Sequence, residues 1–326
     1  RRFEYSRSLG LAVGVIAIGW LIGLGLATWN HSVPTHHIRV AAVQSGDHVP
    51  THPETKPFST TRRYPELTDA ITTIHTPFTL AAGRQGAHLV VWPEASGWVA
   101  PDDSASAPQL HRLQQLAQEA DTTIVWPYFI RIDPNRTRNE LVLITPLGPI
   151  SAPTTKDHPV YVIGERSVTS GLNQIHVVQN VSVGLAAGPD GTYTDTLARL
   201  ARLGASIVAV PTHDWESFTA QHITHLRHRA AEHRIAVVKA DWRYGSVIIE
   251  PSGEILVATP IRERGSDLLV ADVHVGSPGT LYTITGDWLG AFALATLLLV
   301  TLVSIGLRVG AASINAELPA SPTPQP

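Results

Sequence analysis

The chain has no cysteine in its 326 residues. That excludes disulfides, thiolate metal sites and every mechanism that needs a thiolate nucleophile. Methionine is absent as well, so Arg1 is not an initiator position, and the sequence is expected to be the C-terminal part, or a trimmed form, of a longer product. Charge is scarce: Asp, Glu, Lys and Arg make up 16 %, against roughly 25 % in soluble globular chains. Hydrophobic residues are an ordinary 44 %, so the shortage of charge points to local apolar segments. The net charge is −3 with no long basic run, and nucleic acid is not an expected partner.

Two uncharged stretches fit that deficit. Leu9–Trp29 (LGLAVGVIAIGWLIGLGLATW) has 21 residues and Trp288–Leu307 (WLGAFALATLLLVTLVSIGL) has 20. Each is long enough to cross a hydrocarbon core of about 30 Å at about 1.5 Å per residue, so both read as transmembrane helices. Arg1, Arg2 and Arg7 precede the first and Arg308 follows the second, whereas the inner flanks lack Lys and Arg. By the positive-inside rule, residues 1–8 and the proline-rich tail 308–326 are then cytoplasmic. The intervening domain lies on the extracytoplasmic side of a multi-pass cell-membrane protein, with Trp29 and Trp288 at the outer interface.

Between these stretches the pattern changes. Short apolar runs at Ile38–Val43, Leu89–Trp92, Thr123–Trp126, Val181–Ala187, Ile207–Pro211 and Ala236–Ala240 read as buried strands. Helical patterns fall between several of them, at Pro65–Gly83, Gln109–Ala120, Asp195–Leu203 and Ala220–His233, with Asp121, Gly204 and Arg234 marking exits. Ser246–Glu250 and Ile255–Thr259 flank Pro251-Ser252-Gly253, a hairpin signal. The alternation is that of an α/β domain with a covered sheet.

Several motifs sit at expected strand ends. Glu94 closes HLVVWPE, Lys156 lies in TTKDHPVYVIGE before Glu165, and VSVGLAAGPDGTY carries Gly188 and Asp190. PTHDWE and the helix QHITHLRHRAAEH follow. Together these resemble the carbon–nitrogen hydrolase (nitrilase) superfamily, and most closely its apolipoprotein N-acyltransferase branch. That branch carries a Trp-Pro-Glu glutamate, similar to Glu94, and a lysine before Pro-Phe-Gly-Glu, similar to Lys156 before Val-Ile-Gly-Glu165. Its asparagine–aspartate–tryptophan segment looks like His213-Asp214-Trp215. The resemblance spans roughly Arg39–Val273. It implies an αββα sandwich over 38–273, here flanked by the two transmembrane helices, and a Glu–Lys–Cys triad with no cofactor and no metal. In such a triad the glutamate takes the thiol proton, the thiolate attacks an acyl carbonyl and the lysine ammonium stabilises the oxyanion. In the branch, the acyl group would pass from phospholipid to a lipoprotein amine.

The resemblance fails at the nucleophile, because the family alignment puts Gly188 where the cysteine belongs. The expectation is therefore a membrane-anchored pseudoenzyme. Its site would comprise Glu94, Lys156, Glu165 and the vacated position Gly188, and its partners would be membrane lipid, lipoprotein or an active acyltransferase. The alternative is an active acyltransferase or amidase with another nucleophile, for which Thr192, Ser182 and an acylated Lys156 are the candidates. An inert scaffold is a third reading. His222, His225 and His228 recur every three residues, but with no HExxH arrangement they read as solvated or core histidines. Arg229 and Glu232 suit an ion pair on that helix. Trp98 is a lid, a lipid contact or simple packing.

Overall fold

The computed structural model describes residues 14, 18–19, 21, 36–46, 65–98, 106–133, 135–167, 174–261 and 265–317. The chain divides into two units, Arg1–Thr280 and Leu281–Pro326.

In the first unit, strand–helix alternation builds two sheets. The first runs β13(Ser266–Val275)-β1(His36–Ser45)-β2(Leu89–Val91)-β3(Thr123–Asp133)-β4(Arg136–Thr145)-β5(Gly148–Thr155), with β6(Glu165–Arg166) also pairing with β4. The second runs β12(Ile255–Ala258)-β11(Val247–Ile249)-β10(Ala236–Asp241)-β9(Ile207–Thr212)-β8(Val181–Leu185)-β7(Ile175–Val178). β1, β2 and β3 are parallel, as are β8, β9 and β10, so their C-terminal ends gather on one side of each sheet.

The period of two along each strand sorts the core into layers. Val40 and Ala42 of β1, Leu89 and Val91 of β2, and Leu141 and Leu143 of β4 share one buried cluster with Val183, Leu185, Ile207, Ala209, Ala236 and Val238 of the other sheet. That cluster is the layer between the sheets. The alternate residues Ala41, Val43, Val90, Ile124 and Trp126 face helix α2 (Ala107–Ala120) through Leu113, Leu116 and Ala117. Helix α1 (Pro65–Arg84) packs on that side through Phe78, Leu80 and Ala82. Val208, Val210 and Val237 meet helices α3 (Thr194–Arg202) and α4 (Glu216–His233) through Leu197, Leu200, Ile223 and Leu226. The result is the αββα sandwich. Strands apolar on both faces read as continuous runs, which is why β1, β2, β9 and β10 stood out in the sequence. The helix exits also fall where expected: Asp121 and Arg234 take left-handed backbone at φ 48° and 54°, the usual end of a helix.

The second unit contains α5 (Leu281–Thr285) and α6 (Trp288–Glu317). Here the sequence expectation is corrected. All but four residues of the stretch 9–29 lie outside the described residues, as do residues 1–8 and 318–326. Among the described residues no helix is long and apolar enough to cross a membrane. The two transmembrane helices at 9–29 and 288–307, and the multi-pass localisation drawn from them, are therefore not supported. The proline-rich tail expected from 308 is helical as far as Glu317.

One close approach fixes how the helices of the first sheet pack. A Cβ added at Gly83 on α1 would lie 2.1 Å from the carbonyl oxygen of Ala120 at the end of α2. In an exposed helix, Gly→Ala stabilises by roughly 1 kcal/mol. Gly83→Ala is expected to do the reverse, destabilising by about 1–3 kcal/mol through overpacking, as measured by urea unfolding.

Candidate active site

The strand ends deliver the charged residues. β2 ends at Val91 and the chain turns through Trp92 and Pro93 to Glu94. The Glu94 main chain is held from the opposite sheet: its N–H donates to the Thr212 carbonyl at 3.3 Å, and its carbonyl accepts the indole N–H of Trp242. Lys156 immediately follows β5, its N–H donating to the Asn139 carbonyl of β4 at 2.9 Å. Glu165 opens β6 after a single 3-10 turn, Tyr161–Ile163, that ends in Gly164 at φ 90°. A Cβ at Gly164 would lie 2.1 Å from the Asn135 carbonyl oxygen, so glycine lets this loop fold back against β4.

These side chains form a buried ion triad. The Lys156 ammonium lies 3.0 Å from Glu94 Oε1 and 2.9 Å from Glu165 Oε2. The Asn139 amide donates to Glu94 Oε1 and reaches Glu165 Oε1 at 3.4 Å, and the Val160 N–H donates to Glu165 Oε2 at 2.7 Å. All three charged residues are buried, with 7 % of Glu94, 3 % of Lys156 and 2 % of Glu165 exposed. Two carboxylates thus share one ammonium. Burial pushes the Glu94 carboxyl above its usual range; Lys156 opposes the rise and Glu165 adds to it. Burial disfavours the charge on Lys156, but the two carboxylates outweigh it and hold the ammonium well above the ordinary lysine value. An acylated Lys156 is disfavoured accordingly, since a nucleophilic amine must first lose that proton.

Gly188 faces this triad. It begins the 3-10 turn Gly188–Thr192 after β8, in left-handed backbone at φ +51°. A Cβ built there would sit 2.8 Å and 3.1 Å from the two Glu94 carboxylate oxygens and 3.1 Å from Lys156 Nζ. Glu94, Lys156 and the first side-chain atom of residue 188 therefore converge on one point. The structure brings together all four sequence-predicted residues, with Glu165 joined through Lys156. The remaining hydroxyl candidate of the turn points elsewhere, because Thr192 Oγ1 donates to the Pro189 carbonyl at 2.7 Å.

Two contributors, Asn139 and Trp242, were not legible in the sequence, and a third, Asp190, was read without its role. Asn139 lies in β4, a strand without an obvious pattern, and it bridges both carboxylates. Trp242 follows β10 and pins the Glu94 carbonyl. Asp190 proves a structural hub, accepting the N–H groups of Ala187, Asp157 and His158 at 3.1, 3.0 and 2.8 Å. Behind the site, Lys239 is fully buried between Asp214 and Asp241, each at 3.2 Å. His222 contacts Asp214 at 2.8 Å. Burial would raise Asp214, but Lys239 and His222 hold it down to about 2. Among the described residues no group of three or more His, Asp or Glu could hold a metal ion. Arg229 and Glu232 do pair on α4, at 2.9 Å, and Trp98 packs its ring on Phe129 with centroids 5.1 Å apart.

A family model described as carbon-nitrogen hydrolase matches residues 39–280. No curated protein gives a significant match to the sequence. Among solved structures, the chain is similar to the amidase from Nesterenkonia sp. AN1, at 18 % identity and a TM-score of 0.56, over 79 % of this chain and 99 % of that one. A variant of the same amidase, bearing the acetamide moiety of fluoroacetamide on its active-site cysteine, matches at 19 % identity and a TM-score of 0.56, covering 80 % and 99 %. A further variant, carrying an acrylamide adduct on that cysteine, matches at 19 % identity and a TM-score of 0.54, covering 72 % and 92 %. At these identities the likeness concerns the fold.

The charge imbalance makes two substitutions differ widely in cost. Lys156→Met leaves two buried carboxylates without their cation and is expected to cost about 3–5 kcal/mol. Glu94→Gln keeps the shape and leaves one carboxylate per ammonium, so its cost should be far smaller. The folded Glu94 carboxyl is raised above its unfolded value, so its contribution is fully present below the unfolded value and is lost as pH rises through the folded one. Chemical denaturation across pH should find that component in the unaltered chain and not in Glu94→Gln.

Proposed function

This chain belongs to the carbon-nitrogen hydrolase family, and we propose that it is a member that has lost cysteine-dependent acyl chemistry while keeping the charged frame of the site. The observation that carries the reading is position 188. A glutamate base and a lysine ammonium converge on the point where a nucleophile would begin, and the residue there is glycine in a chain with no cysteine. The related amidase structures carry their adducts on an active-site cysteine. Family chemistry needs a nucleophile that departs from its proton and attacks the carbonyl; glycine offers neither atom.

Within the family, the branch reading rests on sequence. Trp92-Pro93-Glu94, Lys156 through Glu165, and His213-Asp214-Trp215 resemble the apolipoprotein N-acyltransferases. On that reading the domain acts by binding, with a lipoprotein or an active acyltransferase as its partner. Another nucleophile is the less supported reading, because Lys156 is held as an ammonium and the Thr192 hydroxyl is engaged within its own turn.

The test uses the purified chain with simple aliphatic amides, and separately with phospholipid micelles and a diacylated lipopeptide, read by mass spectrometry. Neither free acid nor N-acylated lipopeptide is expected, and no acyl adduct on the protein. Product or adduct from the unaltered chain would overturn the proposal. Gly188→Cys provides the companion measurement. It is expected to be alkylated by a haloacetamide faster than a free thiol, because the new side chain begins beside Glu94 and Lys156. Non-glycine left-handed backbone and the displaced Glu94 carboxylate should cost it about 1–3 kcal/mol of stability.

A further inference from the structure

His158 lies two residues beyond Lys156, on the segment that leads to Glu165. Its ring is stacked on Tyr193, with centroids 3.8 Å apart and planes 10° from parallel. Stacking fixes the plane of the imidazole, and that plane carries its two nitrogens to carboxylates on two different elements. Nδ1 is 3.2 Å from Asp190 Oδ1 in the turn 188–192, and Nε2 is 3.3 Å from Asp195 Oδ1 at the start of α3.

A neutral imidazole has one N–H and one lone pair. With a carboxylate oxygen at each nitrogen, only the imidazolium gives both contacts a proton. The neutral ring must present a lone pair to one carboxylate, which is repulsive. The surroundings point the same way. Asp157 on the same segment, Asp190 on the turn and Asp195 on α3 are three carboxylates. Arg199 of α3 pairs with Asp157 and, at 2.8 Å, with Asp195. Thr196 Oγ1 donates to Asp157 at 2.8 Å. Protonated His158 is thus the second cation of a cluster that holds three carboxylates together.

We propose that His158 is a proton-operated latch, which as an imidazolium ties the Lys156–His158 segment to the 188–192 turn and the start of α3, and which loosens that segment when it loses its proton. The latch closes on the segment that carries Lys156, so it sets how firmly that segment is held against the 188–192 turn. It rests on the contacts of this segment and not on whether residue 188 reacts.

The direction of the pH effect follows. The hydrogen bond to Asp190 raises His158 above the ordinary histidine value of 6.5; burial opposes this, and the charges of Asp190, Asp195 and Asp157 add to the rise. A group raised on folding stabilises fully below its unfolded value and loses that contribution as pH rises through the folded value. The latch is therefore closed in mild acid and opens towards alkaline pH.

Hydrogen exchange on the unaltered full chain, corrected for intrinsic rates, tests this on a peptide covering 154–163. Protection of the Asp157 and His158 amides, both bonded to Asp190, should fall several-fold between pH 6 and pH 9. His158→Gln should show the lower protection at both values. Protection that does not change with pH, or that is the same in His158→Gln as in the unaltered chain, would overturn the proposal. A second measurement does not depend on that variant folding. The His158 ring titration followed by NMR should move towards the ordinary histidine value in Asp195→Asn, a change at a half-exposed carboxylate. A ring that titrates at the ordinary value in both chains would overturn it equally.

Discussion

The site depends on one buried ammonium shared by two buried carboxylates. Lys156 cannot neutralise Glu94 and Glu165 together, and the structure meets the excess with neutral donors: the Asn139 amide on Glu94 and the Val160 N–H on Glu165. Each donor comes from a different part of the first sheet or its loops. The geometry of β4, β5 and the Tyr161–Ile163 turn is therefore constrained by the need to bring polar groups to two buried oxygens. Buried charge of this kind is weak evidence for stability. Its presence in a chain without the nucleophile is best understood as a set of mutually dependent parts, since removing the shared ammonium exposes the cost of burying both carboxylates.

The same arithmetic recurs on the far side of the sandwich layer. Lys239 is fully buried between Asp214 and Asp241, with Thr212 and the backbone carbonyls of Tyr244 and Gly245 completing the shell. Here too one lysine serves two carboxylates, and His222 adds a further donor to Asp214. The two clusters differ in access to a reacting position. The Lys156 cluster converges on the point where a side chain at position 188 would begin, whereas the Lys239 cluster is enclosed by β9, β10 and α4. The first has the form of a site and the second of a structural brace.

Much of this was legible in the sequence. Strands apolar on both faces, such as Val40–Val43 and Ile207–Pro211, betray themselves by continuous hydrophobicity, and the helices between them by their periodic pattern and exit residues. Glu94, Lys156, Glu165 and Gly188 were identifiable because short motifs tie them to strand ends. β4 and β5 were not read: Arg136–Thr145 mixes charged and apolar residues, and Gly148–Thr155 holds two prolines. With β4 unread, Asn139 had no context. Asp190 was undervalued because its role is to accept three backbone N–H groups, which leaves no trace in residue type. The apolar stretches at 9–29 and 288–307 illustrate the opposite error, where composition promised membrane spans that the described helices do not bear out.

Glu94 touches both halves of the sandwich. Its main chain is fastened to the second sheet through Thr212 and Trp242, while its carboxylate is fastened to the first through Asn139 and to Lys156 at the end of β5. One residue thus works as a rivet between the two layers, alongside the Gln44 side chain of β1, which bonds Arg243, Ser246 and Thr259. Apolar contacts tolerate sliding. Polar bonds of fixed length do not. A slip of one sheet over the other would stretch several of them at once, so the register of the two sheets is read out at the carboxylate that faces residue 188.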